Sequence, residues 1–221
     1  MTAADPGPHG DLEEARLTIG LDGPVPTPVP EVVRRFDRTT ERWASLLRRR
    51  PSVDRVAYAL SELGNHSTVW HAINAADAAF GPAISGDAGR RPRAVRRSVI
   101  QGIEQAIVNG PTKMLFRRER PIPLDDHPHD LRTPRTSSFP SGHASAGGCA
   151  ATLLTRDLGH GPAWFTLAGF IGWSRVHVGV HHPSDVLGGM LIGIGLASVA
   201  DRLWPVDRDR TRTGRHTRSR E

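Results

Sequence analysis

The chain has 221 residues, of which 38% are apolar and 24% charged, and its formal net charge is +6. This length and balance exclude a collagen-like or low-complexity chain and fit one domain with tails. The single cysteine, Cys149, excludes a disulfide framework within one chain, and its small neighbours predict a packing role. Charge is unevenly placed, because residues 142–200 hold only four Asp, Glu, Lys or Arg residues. Polar ends therefore flank an apolar segment.

The N-terminal part of the chain divides into two segments of different character. Residues 1–30 are rich in proline and glycine and have no apolar period, which predicts a disordered tail. Residues 31–50 place apolar side chains such as Phe36 and Trp43 on one helical face and arginines on most of the rest. This pattern predicts a basic amphipathic helix, which suits either an anionic membrane surface or a solvated position against the domain.

Residues 52–205 are expected to form the folded domain as a bundle of helices, because no stretch shows convincing strand alternation. The predicted elements, in chain order, are one or two helices over 54–85 interrupted at Gly64 and Asn65, a basic loop at 90–97, a helix at 95–115, a long polar loop at 117–138, and helices at 142–156, 162–176 and 186–204. The predicted fold class is all-α.

The helix at 186–204 is the best membrane-spanning candidate in the sequence. Residues 186–200 carry no charge, although a bilayer needs about 20 apolar residues. The positive-inside rule predicts that the basic segment 90–97 and the basic tail 206–221 lie on the cytoplasmic side. The tail lacks interleaved aromatic residues, so a solvated tail is predicted and no nucleic-acid partner is expected.

Three short polar clusters stand out in the second half of the chain. They are Lys113 followed by Arg120-Pro121, then Pro140-Ser141-Gly142-His143, and then Ser174-Arg175 followed by His181 and Asp185. In order and in internal spacing they resemble the signature of the type 2 phosphatidic acid phosphatase (PAP2) superfamily, which also includes bacterial acid phosphatases and vanadium haloperoxidases. The resemblance covers about residues 113–185.

The resemblance implies a membrane-embedded helical bundle of the PAP2 type and a phosphatase that needs no cofactor and no metal. It implies that His181 is the nucleophile that forms a phosphohistidine, that Asp185 is its partner, and that His143 is the general acid and base. The implied phosphate-binding residues are Lys113, Arg120, Ser141, Gly142 and Arg175.

The chemistry of these residues agrees with the implied roles. Arginine offers paired donors to phosphate oxygens and lysine offers a mobile point charge. A Ser141-Gly142 turn that opens a helix can offer backbone N–H groups to an anion. His181 and Asp185 are four residues apart at a helix start, so the carboxylate can hold the imidazole while the other nitrogen attacks phosphorus.

The resemblance also implies a lipid phosphate substrate, namely phosphatidate, phosphatidylglycerol phosphate or a polyprenyl (pyro)phosphate. The expected location is the cytoplasmic membrane, with several passes and the active site facing outward. With the basic segments inside, the alternating direction of the predicted helices carries all three clusters to the outer side.

Several alternatives remain open at this point. The chain could be a soluble, non-specific acid phosphatase, a haloperoxidase that holds vanadate, or a non-catalytic membrane protein that binds anionic lipid. The segment Asp125–Asp130 could bind a divalent cation or could simply be solvated. His177 and His181 have the spacing of two zinc ligands, but no glutamate lies between them, which disfavours a zinc site.

Overall fold

The computed structural model describes residues 28–121 and 136–206, and these residues form seven α-helices of more than one turn and no strand. The helices are α1 (Glu31–Arg48), α2 (Pro51–Leu63), α3 (Thr68–Ser85), α4 (Arg90–Ile107), α5 (Gly142–Leu158), α6 (Gly161–His177) and α7 (Pro183–Leu203). The predicted all-α class is confirmed. Residues 1–27, 122–135 and 207–221, which include most of both predicted tails and the Asp125–Asp130 segment, lie outside the described residues.

The predicted interruption at Gly64 and Asn65 separates α2 from α3. A short 3₁₀ turn over Asn65–Ser67 joins the two helices. Two of its residues, His66 and Ser67, have positive φ, which ends the α-helical path and changes the direction of the chain. The turn leaves the end of α2 beside the start of α5, where the second polar cluster begins.

α4 covers the predicted basic loop at 90–97, so that prediction is wrong. Arg97 is 1% exposed. Its guanidinium donates to Asp157 of α5 at 2.8 Å and pairs with Asp77 of α3. Buried arginines persist in a helix when partners of opposite charge surround them. Since these partners lie in other helices, the local sequence pattern does not reveal them.

A π-helical turn over Val108–Thr112 follows α4 and interrupts the predicted helix 95–115. Pro111 has no backbone N–H to continue the helical ladder, and Gly110 has non-helical dihedrals. The chain regains one helical turn at Lys113–Leu115 and then becomes extended. The break therefore gives Lys113 a direction that a straight helix would not have.

α5 is the central helix, and its closest neighbour is α7. Glycines allow the two backbones to approach each other. A Cβ added at Gly193 would lie 1.9 Å from the Ser145 carbonyl oxygen, and one added at Gly148 would lie 2.4 Å from the Met190 carbonyl oxygen. Such close backbone contact is available only to residues without a side chain. It holds the start of α5 against the start of α7.

The apolar core surrounds α5. Trp70 of α3 is fully buried against small residues of α5 and against Ala168 and Ile171 of α6. Cys149 is buried beside Ile100 and Leu153, in agreement with the predicted packing role. Small side chains on α5 thus allow large ones from its neighbours to fill the interior.

Among the described helices, only α7 is long and apolar enough to cross a bilayer. In its most apolar 18-residue window, 17% of the residues are buried inside the protein. Leu187, Leu191 and Leu203 are exposed along the outward side. A helix of this length in the core of a soluble protein would be mostly buried, so this exposure favours a lipid neighbour.

Candidate active site

His181 and Asp185 meet at the start of α7. His181 lies in the turn that follows α6, where Gly179 has a φ of +73° that suits glycine. His181 is 3% exposed and Asp185 is fully buried. The distance between His181 Nδ1 and Asp185 Oδ2 is 3.7 Å, which is within ion-pair range and longer than a hydrogen bond. The same carboxylate oxygen accepts the backbone N–H of His182 at 2.8 Å and so caps the helix.

The other ring nitrogen of His181 faces a cation. Nε2 lies 3.4 Å from Arg120 Nη1. Burial, together with the positive charges of Arg120 and Arg175, lowers the pKa of His181 to about 4, against the opposing effect of Asp185. His181 is therefore neutral at neutral pH, and its Nε2 can carry a lone pair toward a bound electrophile.

The cationic residues of the first and third clusters converge beside this histidine. Arg120 donates to the Val180 carbonyl oxygen at 2.8 Å and to the Ser137 carbonyl oxygen at 3.1 Å. Burial, followed by repulsion from Arg120 and Arg175, lowers the pKa of Lys113 to about 8. Lys113 and Arg120 belong to one short segment and Arg175 is distant in sequence, so the fold brings the third cation to the other two.

Arg175 is anchored by α2. Its Nη1 donates to the Ser61 hydroxyl, and its Nε is buried with no hydrogen-bond partner among the described residues. The guanidinium thus keeps donor capacity that its protein neighbours do not use. A bound anion would satisfy it.

His143 lies in the first turn of α5 beside the end of α2. Its Nε2 is 3.2 Å from the Ser61 carbonyl oxygen and 3.1 Å from Asn65 Oδ1. Gly64 makes room for the ring, because a Cβ there would lie 2.6 Å from His143 Cδ2. Burial, followed by the positive charges of Arg175 and His181, lowers the pKa of His143 well below its usual value.

The Ser141-Gly142 turn differs from the prediction in the role of the Ser141 backbone N–H. The Ser141 backbone N–H donates to the Asp185 carbonyl oxygen at 3.1 Å, so this donor serves the α5–α7 contact. The Ser141 hydroxyl is buried and has no partner within 28–121 or 136–206. Gly142 fits closely under Asn109, whose Oδ1 would lie 2.7 Å from an added Cβ. Of the two donors of Ser141, the hydroxyl is therefore the one left to bind an anion.

Arg118 is a site residue that the sequence analysis missed. Its Nη1 donates to Asp185 Oδ1 and to the Ser184 hydroxyl, both at 2.6 Å, and its Nη2 pairs with Asp37 of α1 at 2.5 Å. Asp37 also accepts the backbone N–H of Ser184 at 2.8 Å. Arg118 stands between Arg117 and Glu119 in a run of charged residues, so local sequence does not distinguish it. Asp37 offered a weak signal, as an acidic residue within a strongly basic helix.

His177 does not join His181 at a shared site. Its Nε2 lies 3.0 Å from Asp54 Oδ1 of α2, and its ring is fully buried. In the part of the chain that the structure describes, no group of three His, Cys, Asp or Glu side chains could hold a metal ion. The Asp125–Asp130 segment lies outside that part.

Comparison with known proteins identifies the family of the chain. The sequence model of the PAP2 superfamily matches residues 99–207. The decaprenylphosphoryl-5-phosphoribose phosphatase of Mycolicibacterium smegmatis is 38% identical over 143 residues, which cover 63% of this chain and 73% of that protein. The chain belongs to the PAP2 superfamily. The undecaprenyl-diphosphatase of Sulfolobus acidocaldarius is 35% identical over 114 residues, covering 47% of this chain and 52% of that one.

Two solved structures share the PAP2 fold with this chain. The first is a transmembrane PAP2 type phosphatidylglycerolphosphate phosphatase from Bacillus subtilis, with a TM-score of 0.56 and 21% identity, covering 90% of this chain and 96% of that one. The second is LpxE from Aquifex aeolicus, with a TM-score of 0.54 and 25% identity, covering 73% of this chain and 93% of that one. As a PAP2 protein, the chain is a hydrolase of phosphate monoesters or diphosphates.

Proposed function

We propose that this chain is a membrane-bound phosphatase that hydrolyses a lipid phosphate, without a metal ion, through a phosphohistidine on His181. One observation carries the proposal. The buried, neutral imidazole of His181 is held between a carboxylate on its Nδ1 side and the cation cluster on its Nε2 side. This arrangement suits attack on an electron-poor phosphorus that the cations bind and orient.

The first half-reaction transfers the phosphoryl group to the enzyme. Lys113, Arg120 and Arg175 bind the phosphate oxygens, and His181 Nε2 attacks phosphorus. A P–N bond forms while the bond from phosphorus to the leaving oxygen breaks, and His143 gives that oxygen a proton. Asp185 stabilises the positive charge that develops on His181, and the 3.7 Å contact shortens when this charge forms.

The second half-reaction returns the enzyme to its starting state. His143, now unprotonated, takes a proton from a water molecule whose oxygen attacks the phosphorus. The P–N bond breaks, inorganic phosphate leaves, and His143 is protonated again. The same cations stabilise the charge on the phosphoryl oxygens in both steps, so one binding site serves the whole cycle.

A lipid substrate and a multi-pass position in the cytoplasmic membrane fit the surface of the molecule. α7 presents an apolar outward side, and α1 exposes Val32 and Trp43 beside its arginines. The polyprenyl-linked substrates in the names of the relatives make a polyprenyl phosphate the favoured class, ahead of phosphatidate and phosphatidylglycerol phosphate. Apolar helices and a basic amphipathic helix are the features by which proteins enter and lie on bilayers.

The arginines at the start of α4 support an outward-facing site. Arg96 near the start of α4 pairs with Asp201 near the end of α7 at 3.0 Å, so the arginine-rich start of α4 lies at the far end of α7 from Asp185. The 21 residues of α7 span about 30 Å, close to the thickness of the hydrocarbon core. With the start of α4 in the cytoplasm, the catalytic end faces outward, and the arginines of α1, which packs at that end, then lie at the outer surface.

The experiment is phosphate release in detergent with EDTA. Phosphatidate, a polyprenyl monophosphate, a polyprenyl diphosphate and p-nitrophenyl phosphate are compared. We expect EDTA-resistant release that prefers a polyprenyl substrate and falls by at least about 10³-fold in His181→Ala. His71→Ala, on α3, is the matched histidine control and should retain full activity.

Intermediate trapping separates the nucleophile from other roles. With ³²P-labelled substrate and an acid-free quench, wild type and His71→Ala should carry an acid-labile, alkali-stable label that His181→Ala lacks. Label or near-normal turnover in His181→Ala would refute the assignment of the nucleophile. Turnover of p-nitrophenyl phosphate alone would favour a non-specific acid phosphatase.

A further inference from the structure

A cavity of about 420 Å³ lies beside His181, between α1 and the turn that follows α6. One side of α1 lines it, through Arg38, Glu41, Arg42, Ser45 and Arg48. The opposite wall includes His181 and His182. The space therefore continues from the proposed nucleophile to a row of arginines that the catalytic scheme does not use.

The charged groups of this cavity differ in how far protein partners satisfy them. The Arg48 guanidinium already has protein partners, because it donates to the carbonyl oxygens of Val176 and His177 at the end of α6. The Glu41 carboxylate also has a protein partner, since its Oε1 lies 2.7 Å from His182 Nδ1. These contacts hold the side chains of Arg48 and Glu41 in place. The other two arginines of the cavity, Arg38 and Arg42, do not take part in them.

Arg38 and Arg42 supply the positive charge that remains. The Arg42 side chain has no hydrogen bond or ion pair with any residue of 28–121 or 136–206. Arg38 pairs with Glu31, and about half of both side chains is exposed, so solvent weakens that pair. The two arginines are four residues apart on one helix face and can hold one anion together.

We propose that this cavity is a subsite for a second phosphate group of the substrate. The inference rests on the proposed function and narrows it. The substrate carries a terminal phosphate, cleaved at His181, and a further phosphate, bound by Arg38 and Arg42. Guanidinium pairs recognise phosphate oxygens through paired hydrogen bonds, and the cavity volume is within the range of small-ligand sites.

Binding of non-hydrolysable phosphonates tests the subsite without requiring turnover. The full chain in neutral detergent is titrated by calorimetry with methylphosphonate and with α,ω-bisphosphonates that have one to four methylene groups. The series covers a range of spacings between the two phosphate positions. We expect at least one bisphosphonate to bind about 10- to 100-fold more tightly than methylphosphonate, as charged hydrogen bonds to a second group allow.

A matched pair of double variants shows which arginines carry this preference. In R38Q/R42Q the preference should disappear while methylphosphonate affinity stays the same. In R34Q/R35Q, which makes the same charge change on the same helix away from the cavity, the preference should remain. No preference in wild type, or equal losses in the two double variants, would overturn the proposal.

A further set of titrations with added lipid tests whether the arginines bind a phosphate of the substrate or the headgroup of a membrane lipid. The titrations are repeated with phosphatidylglycerol added to the micelles, and the bisphosphonate preference should survive. If the lipid abolishes it, the arginines bind a membrane headgroup and the proposal is wrong. Bisphosphonate preference in a protein that hydrolyses none of the tested substrates would support the subsite and count against the proposed function.

Discussion

Replacing Gly193 with alanine should separate the two helices that carry the site. The new Cβ would lie 1.9 Å from the Ser145 carbonyl oxygen and 2.9 Å from the Cys149 backbone nitrogen. Real Cβ atoms stay at least 3.0 Å from such atoms, so α5 and α7 would have to move apart by about 1.1 Å, from 1.9 to 3.0 Å. The obstructing atoms belong to the backbone, which cannot rotate away as a side chain could.

The expected cost follows from this displacement. Overpacking of a tight interface destabilises by about 1–3 kcal/mol, and the stiffness of two backbones favours the upper end. The higher helix propensity of alanine offsets about 0.5–1 kcal/mol. We expect Gly193→Ala to lower the free energy of unfolding by about 2 kcal/mol, which lowers the melting temperature by roughly 4–8 °C in a chain of this size.

Gly195→Ala is the control on the same helix. Nothing lies within 4 Å of a Cβ at Gly195, and the residue is exposed. The substitution should therefore leave the stability unchanged or raise it by about 0.5–1 kcal/mol. Thermal unfolding of both variants in the same detergent measures the difference: the melting temperature should fall in Gly193→Ala and should stay the same or rise in Gly195→Ala.

Activity gives a second readout of the same displacement. The Ser141 N–H donates to the Asp185 carbonyl oxygen at 3.1 Å, and both residues lie on the two helices that the substitution would move apart. A misplacement of about 1 Å between catalytic groups can reduce kcat/KM by roughly 10²-fold. If Gly193→Ala were as stable and active as Gly195→Ala, the idea that glycine contacts align the site would be refuted.

Two further predictions concern the charges of the site. Arg118→Gln should lower the free energy of unfolding by about 3 kcal/mol, because it leaves Asp185 buried without its cation. In the same chemical denaturation assay, the exposed control Arg35→Gln should lower the free energy of unfolding by less than about 1 kcal/mol. The pH profile of kcat/KM should fall below about pH 4, where His181 gains a proton and loses its lone pair. On the alkaline side it should fall first where His143 loses the proton that it donates, because burial lowers the pKa of His143, and it should show a further alkaline limb near pH 8, where Lys113 loses its charge. In Lys113→Arg this further limb should move to higher pH, since arginine stays protonated there, and an unchanged limb would exclude Lys113 as its source.

The sequence pattern was sufficient to predict the helical class, and the resemblance to a family predicted the convergence of the three polar clusters. The His181–Asp185 contact follows from a local four-residue spacing at a helix start, which sequence displays directly. The meeting of Lys113, Arg120 and Arg175 does not follow from spacing, and only the resemblance to a family made it predictable. Their proposed roles remain to be tested by substitution.

The errors share one physical cause. The partners of the arginines at 90–97 lie in distant helices, so a run that reads as a solvated loop forms a buried part of α4. Arg118 was missed for the same reason, because its partners Asp37 and Asp185 are far from it in sequence. Whether a charged residue can be buried depends on its ion-pair partner. When that partner is distant in sequence, local composition and periodicity do not predict the burial.

In the proposed mechanism, the cation cluster has an energetic consequence. Arg120 is held by carbonyl oxygens of two separate segments, and Arg175 is held by Ser61, so both cations are fixed by the protein and not by the substrate. Burial, followed by their repulsion, lowers the pKa of Lys113, and a phosphate bound as proposed would relieve that repulsion. Because the positive groups are already in position, little reorganisation is needed as charge spreads over the phosphoryl oxygens during transfer. The cluster can therefore supply the electrostatic stabilisation that phosphoryl transfer requires.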